Sequence, residues 1–243
     1  MSKREPMMEQ SYFDDEMKFT EETFGRFEAR IQNPETKPDH QRKLLYKLFY
    51  DELKLLLLRY SAGHPVAGLR AQLSRVIERR ERHQKFMGRL GVDFNAIDDY
   101  EQSLWLVSLA VLLDADAPLF TRILSCIGNE GADKLFERIV SMKVPGRPAG
   151  VKIIFPKPFQ TLYDATMAAD SEKLRLIKAF LNEWYPAMGK LQVYWHDNHK
   201  GPDGGGFFGY WCLEAAAVVK LFGIDDTEFQ DMKYYPKDLV HQS

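Results

Sequence analysis

The chain has 243 residues, 45% hydrophobic and 28% charged, with 33 Lys and Arg against 35 Asp and Glu for a formal net charge of −2. That composition excludes a disordered or fibrous class, and the charge balance gives no global reason to expect nucleic acid or an anionic membrane as partner. The N-terminal MSKREPMMEQSYFDDE has no apolar signal-peptide core, and the longest apolar runs, LWLVSLAVLL (104–113) and LKLLLL (53–58), reach about half of what a membrane span needs. A cytoplasmic protein without membrane contact is expected, and Cys126 and Cys212 read as two buried, reduced thiols.

Nearly every long segment has helical period. Asp14 or Asp15 is placed to cap a first helix carrying Met17, Phe24, Phe27 and Ile31, stopped by Asn33-Pro34. Asp39 is placed to cap a second, through Leu44, Leu45, Leu48, Phe49, Leu53 and Leu56, whose wide apolar face suits a central position. Pro65 suits the first turn of a third, through Leu69, Leu73, Val76, Ile77 and Phe86, closed by Gly88 or Gly91. A fourth starts at Asp98 or Asp99 and carries Leu104, Trp105, Val107 and Leu112. A fifth starts at Asp116-Ala117-Pro118, and a sixth covers 131–140.

The following stretch, SMKVPGRPAGVKIIFPKP (141–158), carries four prolines and two glycines and is the expected boundary. Its VKIIF has strand composition but no second strand to pair with. Helices resume over 159–168, 171–184 and 207–222. A short last helix is expected from Asp225 or Asp226, with YYPKDLVH as a terminal turn. No β-alternation rises above background. The expected fold is all-α: a two-part bundle of antiparallel helical hairpins, nine to ten helices, with an N-terminal domain 1–140, a linker 141–158 and a C-terminal domain 159–243.

Five constellations invite a chemical reading. His196-Asp197-Asn198-His199, with Asp203 nearby, has metal-ligating residue types. It lacks the glutamate of a His-Glu-x-x-His motif and sits beside Gly201-Pro202, so a polar loop with incidental histidines is the preferred reading. GPDGGGFFGYW has the glycines of a phosphate cradle but no following Lys-Ser/Thr and no preceding strand, so a tight entry into a helix is preferred. Glu214 is an acid inside an apolar helix, which burial would force into a hydrogen bond or a raised pKa. RVIERRERHQKFMGR (75–89) has the charge to grip phosphates, but it also has the Glu–Arg spacing of a solvated helix face. The acidic clusters at 14–16, 98–99, 114–116 and 225–228 mostly suit helix starts, with Asp225 and Glu228 at capping-box spacing. No Ser-His-Asp, Cys-His or paired-carboxylate set stands out.

The C-terminal third carries a more specific pattern. An aromatic-Gly-Tyr-Trp run (Phe208, Gly209, Tyr210, Trp211) is followed by Glu214 in an alanine-rich helix, by Gly223-Ile224-Asp225-Asp226, and by Tyr234-Tyr235-Pro236 with Asp238. Trp195 and His199 precede it. This pattern resembles the C-terminal signature of the immunity proteins for PoNe-type DNase toxins, over residues 160–240. The N-terminal half resembles that family more loosely, through Tyr46, the leucine run and Asp98-Asp99-Tyr100.

The resemblance implies an all-helical, two-part protein, and a non-enzyme without cofactor or metal, a monomer or weak dimer, is expected. It would bind a cognate DNase toxin in the cytoplasm of the producing cell. Such toxins are antibacterial effectors of polymorphic toxin systems, delivered by secretion machinery such as the type VI apparatus. A DNase presents a basic surface to DNA, so the acids beside the signature loop, Asp197, Asp203, Asp225 and Asp226, are the candidate toxin contacts. Two other classes remain open from residues alone. One is a metal-dependent enzyme using His196, His199 and Glu214. The other is a nucleic-acid-binding or scaffold protein using 75–89.

Overall fold

The structure, a computed structural model, describes residues 3–201 and 206–241. Ten α-helices are present among the described residues: α1 (Gln10–Gln32), α2 (Pro38–Ser61), α3 (Val66–Met87), α4 (Ile97–Leu112), α5 (Ala117–Ile127), α6 (Lys134–Ser141), α7 (Pro156–Met167), α8 (Asp170–Leu191), α9 (Leu213–Phe222) and α10 (Lys237–Val240). The fold is all-α. It falls into two compact units, one drawn from 1–91 with 198–210, the other from 92–197 with 211–243.

The first unit is built on α2. Its run from Leu44 to Tyr60 buries residues on most of its circumference, and α1 and α3 pack against it. α1 turns Phe13, Met17, Thr20 and Thr23 inward. α3 turns Leu69, Leu73, Val76 and Ile77 inward and ends at Gly88, whose φ of 63° is the left-handed cap its sequence position suggests. Segment 206–210 completes this core. The Tyr12 hydroxyl donates to the Phe207 carbonyl (3.0 Å), and Ser61 Oγ donates to the Phe208 carbonyl (2.6 Å).

The second unit is built on α4, buried at every position from Tyr100 to Leu112. α9 packs along it, with Ala215, Ala216 and Ala217 fully buried, so the absence of bulk lets the two helices approach closely. α7 packs on α8, and α5 and α6 contact α4. Among the described residues no helix is long and apolar enough to cross a membrane.

Several local expectations need correction. α1 begins at Gln10, ahead of the acids at 14–16. The helix expected over 207–222 begins only at Leu213, because Gly206 (φ 102°) and Gly209 (φ 94°) hold backbone conformations outside a right-handed helix. α8 runs past Trp184, through Pro186, to Leu191, with Trp184 and Met188 both buried on its inner side. At the C-terminus, 227–233 forms turns and α10 lies in the segment read as a turn. Asp225 Oδ1 accepts from the Thr227 N–H (3.0 Å), a local bond that competes with helix initiation.

The proline-rich stretch 141–158 is stitched onto α6 inside the second unit. Lys134 N–H donates to the Lys152 carbonyl (2.8 Å), and Val151 N–H donates to the Gly131 carbonyl (3.1 Å). Arg147 donates twice to Glu137. Gly150 lies so close to the α6 entrance that a Cβ there would sit 2.3 Å from the Asp133 carbonyl carbon.

Candidate functional site

In the second unit, two carboxylates occupy the core. Glu101 on α4 and Glu214 on α9 are 1% and 0% exposed. Each is held by one indole. Trp195 Nε1 donates to Glu101 Oε2 and Trp184 Nε1 to Glu214 Oε1, both at 2.6 Å. The two indoles stack at 5.3 Å with an interplanar angle of 23°. The other oxygens, Glu101 Oε1 and Glu214 Oε2, have no hydrogen-bond partner.

Burial lifts the Glu214 carboxyl to about 7, against the pull of the Trp184 N–H. Burial holds Glu101 well above the carboxylate range, with the Glu214 and Asp98 charges acting in the same direction and the Trp195 N–H opposing. The neighbouring Cys212 thiol is pushed up by burial and by Glu214. Both carboxyls are closed off from solvent. The pair organises a packed aromatic core.

A ring ladder continues toward the surface of the same unit. Tyr234, at φ 72°, stacks on Tyr185 (4.9 Å), and Tyr185 stacks on His196 (4.2 Å). His196 lies flat over Gly189, where a Cβ would stand 2.7 Å from its ring. The Tyr185 hydroxyl donates to Asp197 Oδ1 (3.0 Å), fixing the half-exposed Asp197 at φ 66°. Asp226 is buried: it accepts from the Tyr235 hydroxyl (2.8 Å) and lies 2.8 Å from His241 Nε2. Asp225 is exposed.

His199 belongs to the first unit. Its Nδ1 pairs with the Tyr210 hydroxyl at 2.8 Å, and Tyr210 N–H donates to Glu5 Oε2 (3.3 Å). Asp203, Gly204 and Gly205 lie outside the described residues. The histidines of the His-x-x-His run thus belong to different units, each engaged with a tyrosine. Among the described residues no group of three or more His, Cys, Asp or Glu is placed to hold a metal ion.

The basic run on α3 is largely neutralised within its own unit. Glu52 of α2 pairs with Arg75 (3.3 Å) and Arg79 (2.8 Å), and Glu28 of α1 pairs with Arg79 (3.3 Å) and Arg82 (2.7 Å). The Arg80 guanidinium covers the Phe49 ring at 4.8 Å. Burial and the Arg80, Arg42 and Arg89 charges lower the His83 pKa to about 4. Arg75, Arg79 and Arg82 therefore pair across helices with Glu52 and Glu28 rather than within the run, the pairing that the Glu–Arg spacing of 75–89 suggests.

The model of PoNe immunity proteins (PoNi), N-terminal, matches residues 4–124, and that of PoNe immunity proteins (PoNi), C-terminal, matches 131–239. The chain belongs to the PoNe immunity protein family. Membership implies a toxin-neutralising role and a toxin protein as partner. The solved structure described as protein PA2201 from Pseudomonas aeruginosa is similar in fold, with a TM-score of 0.77 and 17% identity over 99% of this chain and 90% of that one. No curated protein matches the chain.

The PoNe immunity signature now has a structural content. In the second unit Trp195 and Glu214 belong to the indole–carboxylate core, and Trp211 is buried directly ahead of α9. Tyr235 anchors Asp226, while Pro236 and Asp238 start α10. His199, Gly209 and Tyr210 close the first unit's core. Three members of the arrangement escaped the sequence reading: Glu101, Trp184 and Tyr185. Glu101 carried the same signal as Glu214, an acid inside an apolar helical run.

Proposed function

We propose that this PoNe immunity protein neutralises a DNase toxin by direct, non-catalytic and tight complex formation in the cytoplasm of the cell that makes the toxin. It acts as a monomer or weak dimer. The observation that carries the reading is the match of both halves of the chain to the PoNe immunity family. The sealed Glu101–Glu214 pair supports the non-catalytic part, since a buried carboxyl with no access cannot meet a substrate.

A nuclease needs a cationic surface for its polyanionic substrate, and acids on the inhibitor would meet it by long-range steering. Asp197, Asp203 and Asp225 are the proposed contacts near the signature. Asp226, engaged by Tyr235 and His241, holds the C-terminal turn together. Co-expression with the cognate toxin's nuclease domain tests the reading: cells survive, and the purified proteins form a complex. Cell death together with no complex would reject it. Asp197, Asp203 and Asp225 changed jointly to Lys should slow association about tenfold at low salt. Unchanged association would remove these contacts from the proposal.

A further inference from the structure

A cavity of about 480 Å³ lies on the first unit where α2 ends and α3 begins, lined by Arg59, His64, Pro65, Gly68 and Leu69. That volume falls in the range of small-molecule sites, about 300–1,000 Å³. Its polar groups are one-sided. α3 starts without a side-chain cap, and among the described residues the Val66 and Ala67 N–H groups meet no acceptor. The carbonyls around it are already accepting: Arg59 from the His64 N–H (3.0 Å), Pro65 from the Gly68 N–H (3.1 Å), and Tyr60 and His64 from Arg4 Nη1 (2.9 Å each).

Gln72 adds a buried donor. It is 0% exposed and stands one turn along α3 from Gly68, and a helical side chain leans over the turn before it. Its Oε1 accepts from Arg59 Nη1 (2.8 Å), which holds the amide against the cavity, and among the described residues its Nε2 has no partner. A buried donor left unmet destabilises the fold unless a ligand or a water takes it. The side-chain charges largely cancel, since Glu21 faces Arg59 (2.7 Å) and Glu5 follows Arg4. What remains is a set of donors and the roughly half positive charge of a helix start. That suits one carboxylate and falls short of the charge of about −1.5 to −2 on a phosphate.

We infer that this cavity binds a small carboxylate with an apolar body. Its oxygens accept from the Val66 and Ala67 N–H groups and from Gln72 Nε2, and its carbon part packs on Pro65 and Leu69. The site is separate from toxin neutralisation and does not depend on it.

The test uses the full-length, isotope-labelled chain, with the Val66, Ala67 and Gly68 amide signals followed during titration. Sodium benzoate stands for a free carboxylate, N-acetylglutamate amide for an acidic side chain of another protein, and inorganic phosphate for the competing anion. The tighter of the two carboxylates names the source, with an expected Kd of about 1 mM. Gly68→Leu fills the cavity from a position where an added Cβ meets nothing within 4 Å. That variant should keep its melting temperature and bind about tenfold more weakly or not at all. Gln72→Leu, which removes the donor, should weaken binding about fivefold. No shift of these amides at about 50 mM of either carboxylate would leave the donors to water and overturn the inference. Phosphate binding as tightly as the better carboxylate, or binding by Gly68→Leu and Gln72→Leu within about twofold of the unaltered chain, would overturn it as well.

Discussion

Glu214 shows how one residue links sequence, packing and pH. Its carboxyl is fully buried, held at one oxygen by Trp184, and lifted to about 7 by loss of solvent. In the unfolded chain a glutamate titrates near 4.3, so the folded form binds its proton more tightly. Its contribution to stability is therefore complete below the unfolded pKa and is lost as pH rises through the folded one. Between about pH 5 and 7 the loss is on the order of 2 kcal/mol, and Glu101, raised in the same direction by burial, acts with the same sign. Glu214→Gln keeps an acceptor for Trp184 without a charge to ionise. Urea unfolding at pH 5.5 and 7.5 should show that variant losing less stability than the unaltered chain. A parallel loss in both proteins would place the pH sensitivity elsewhere. The same reasoning predicts a change in tryptophan fluorescence over this range, because the ionising Glu214 carboxyl is bonded to one of two stacked indoles.

At the scale of elements, α6 depends on one carboxylate that organises three partners. Asp133 Oδ1 accepts from the Phe136 N–H (2.9 Å) and the Tyr100 hydroxyl (3.1 Å), and Oδ2 accepts from the Ile154 N–H (2.8 Å). It thus caps α6, fixes α4 beside it and ties down the proline-rich loop. Asp133→Ala leaves three donors unsatisfied in a buried place and should destabilise the fold by about 3 kcal/mol or more. Gly150→Ala should destabilise it independently, since the added methyl has only backbone to push against. Both are checked by denaturant midpoints.

Legibility followed the locality of the signal. Asp116 caps α5 by accepting from the Leu119 N–H, and Gly88 closes α3, both as read, because caps are written within a few residues. The central place of α2 was legible from its wide apolar face. The late start of α9 was not, since it depends on positive φ at Gly206 and Gly209 and on the Cys212 N–H donating to the distant Tyr234 carbonyl (2.8 Å). The internal role of Asp226 was equally hidden. Nothing in Asp225-Asp226 says which acid faces Tyr235, and only tertiary packing separates them. Asp133 looked unremarkable because two of its three partners, Tyr100 and Ile154, come from outside its own helix.

At the scale of the whole molecule, neither unit is continuous in sequence. The first unit takes residues to 91 and then 198–210; the second takes 92–197 and then 211–243. In the first, Phe207 packs on Tyr12 and Phe13, and the Phe207 and Phe208 carbonyls receive the Tyr12 and Ser61 hydroxyls. Each buried phenylalanine contributes about 2 kcal/mol of apolar transfer, which is a large share of the stability of a three-helix unit. In the second, α4 and α9 form the central helix pair although about a hundred residues separate them in sequence. A division of the chain within 141–158 therefore separates α4 from α9 and the first three helices from 206–210. Residues 1–140 and 159–243, expressed apart, should each be helical by circular dichroism but melt without a cooperative transition. Residues 1–91 joined by a Gly/Ser linker to 198–210 should melt more cooperatively, and at higher temperature, than 1–91 alone. If 1–91 melts just as sharply without the added segment, the returning strand of chain contributes little. The bonds of Tyr12 to Phe207 and of Ser61 to Phe208 would then be a consequence of the fold, with α2 and its neighbours sufficient to hold it.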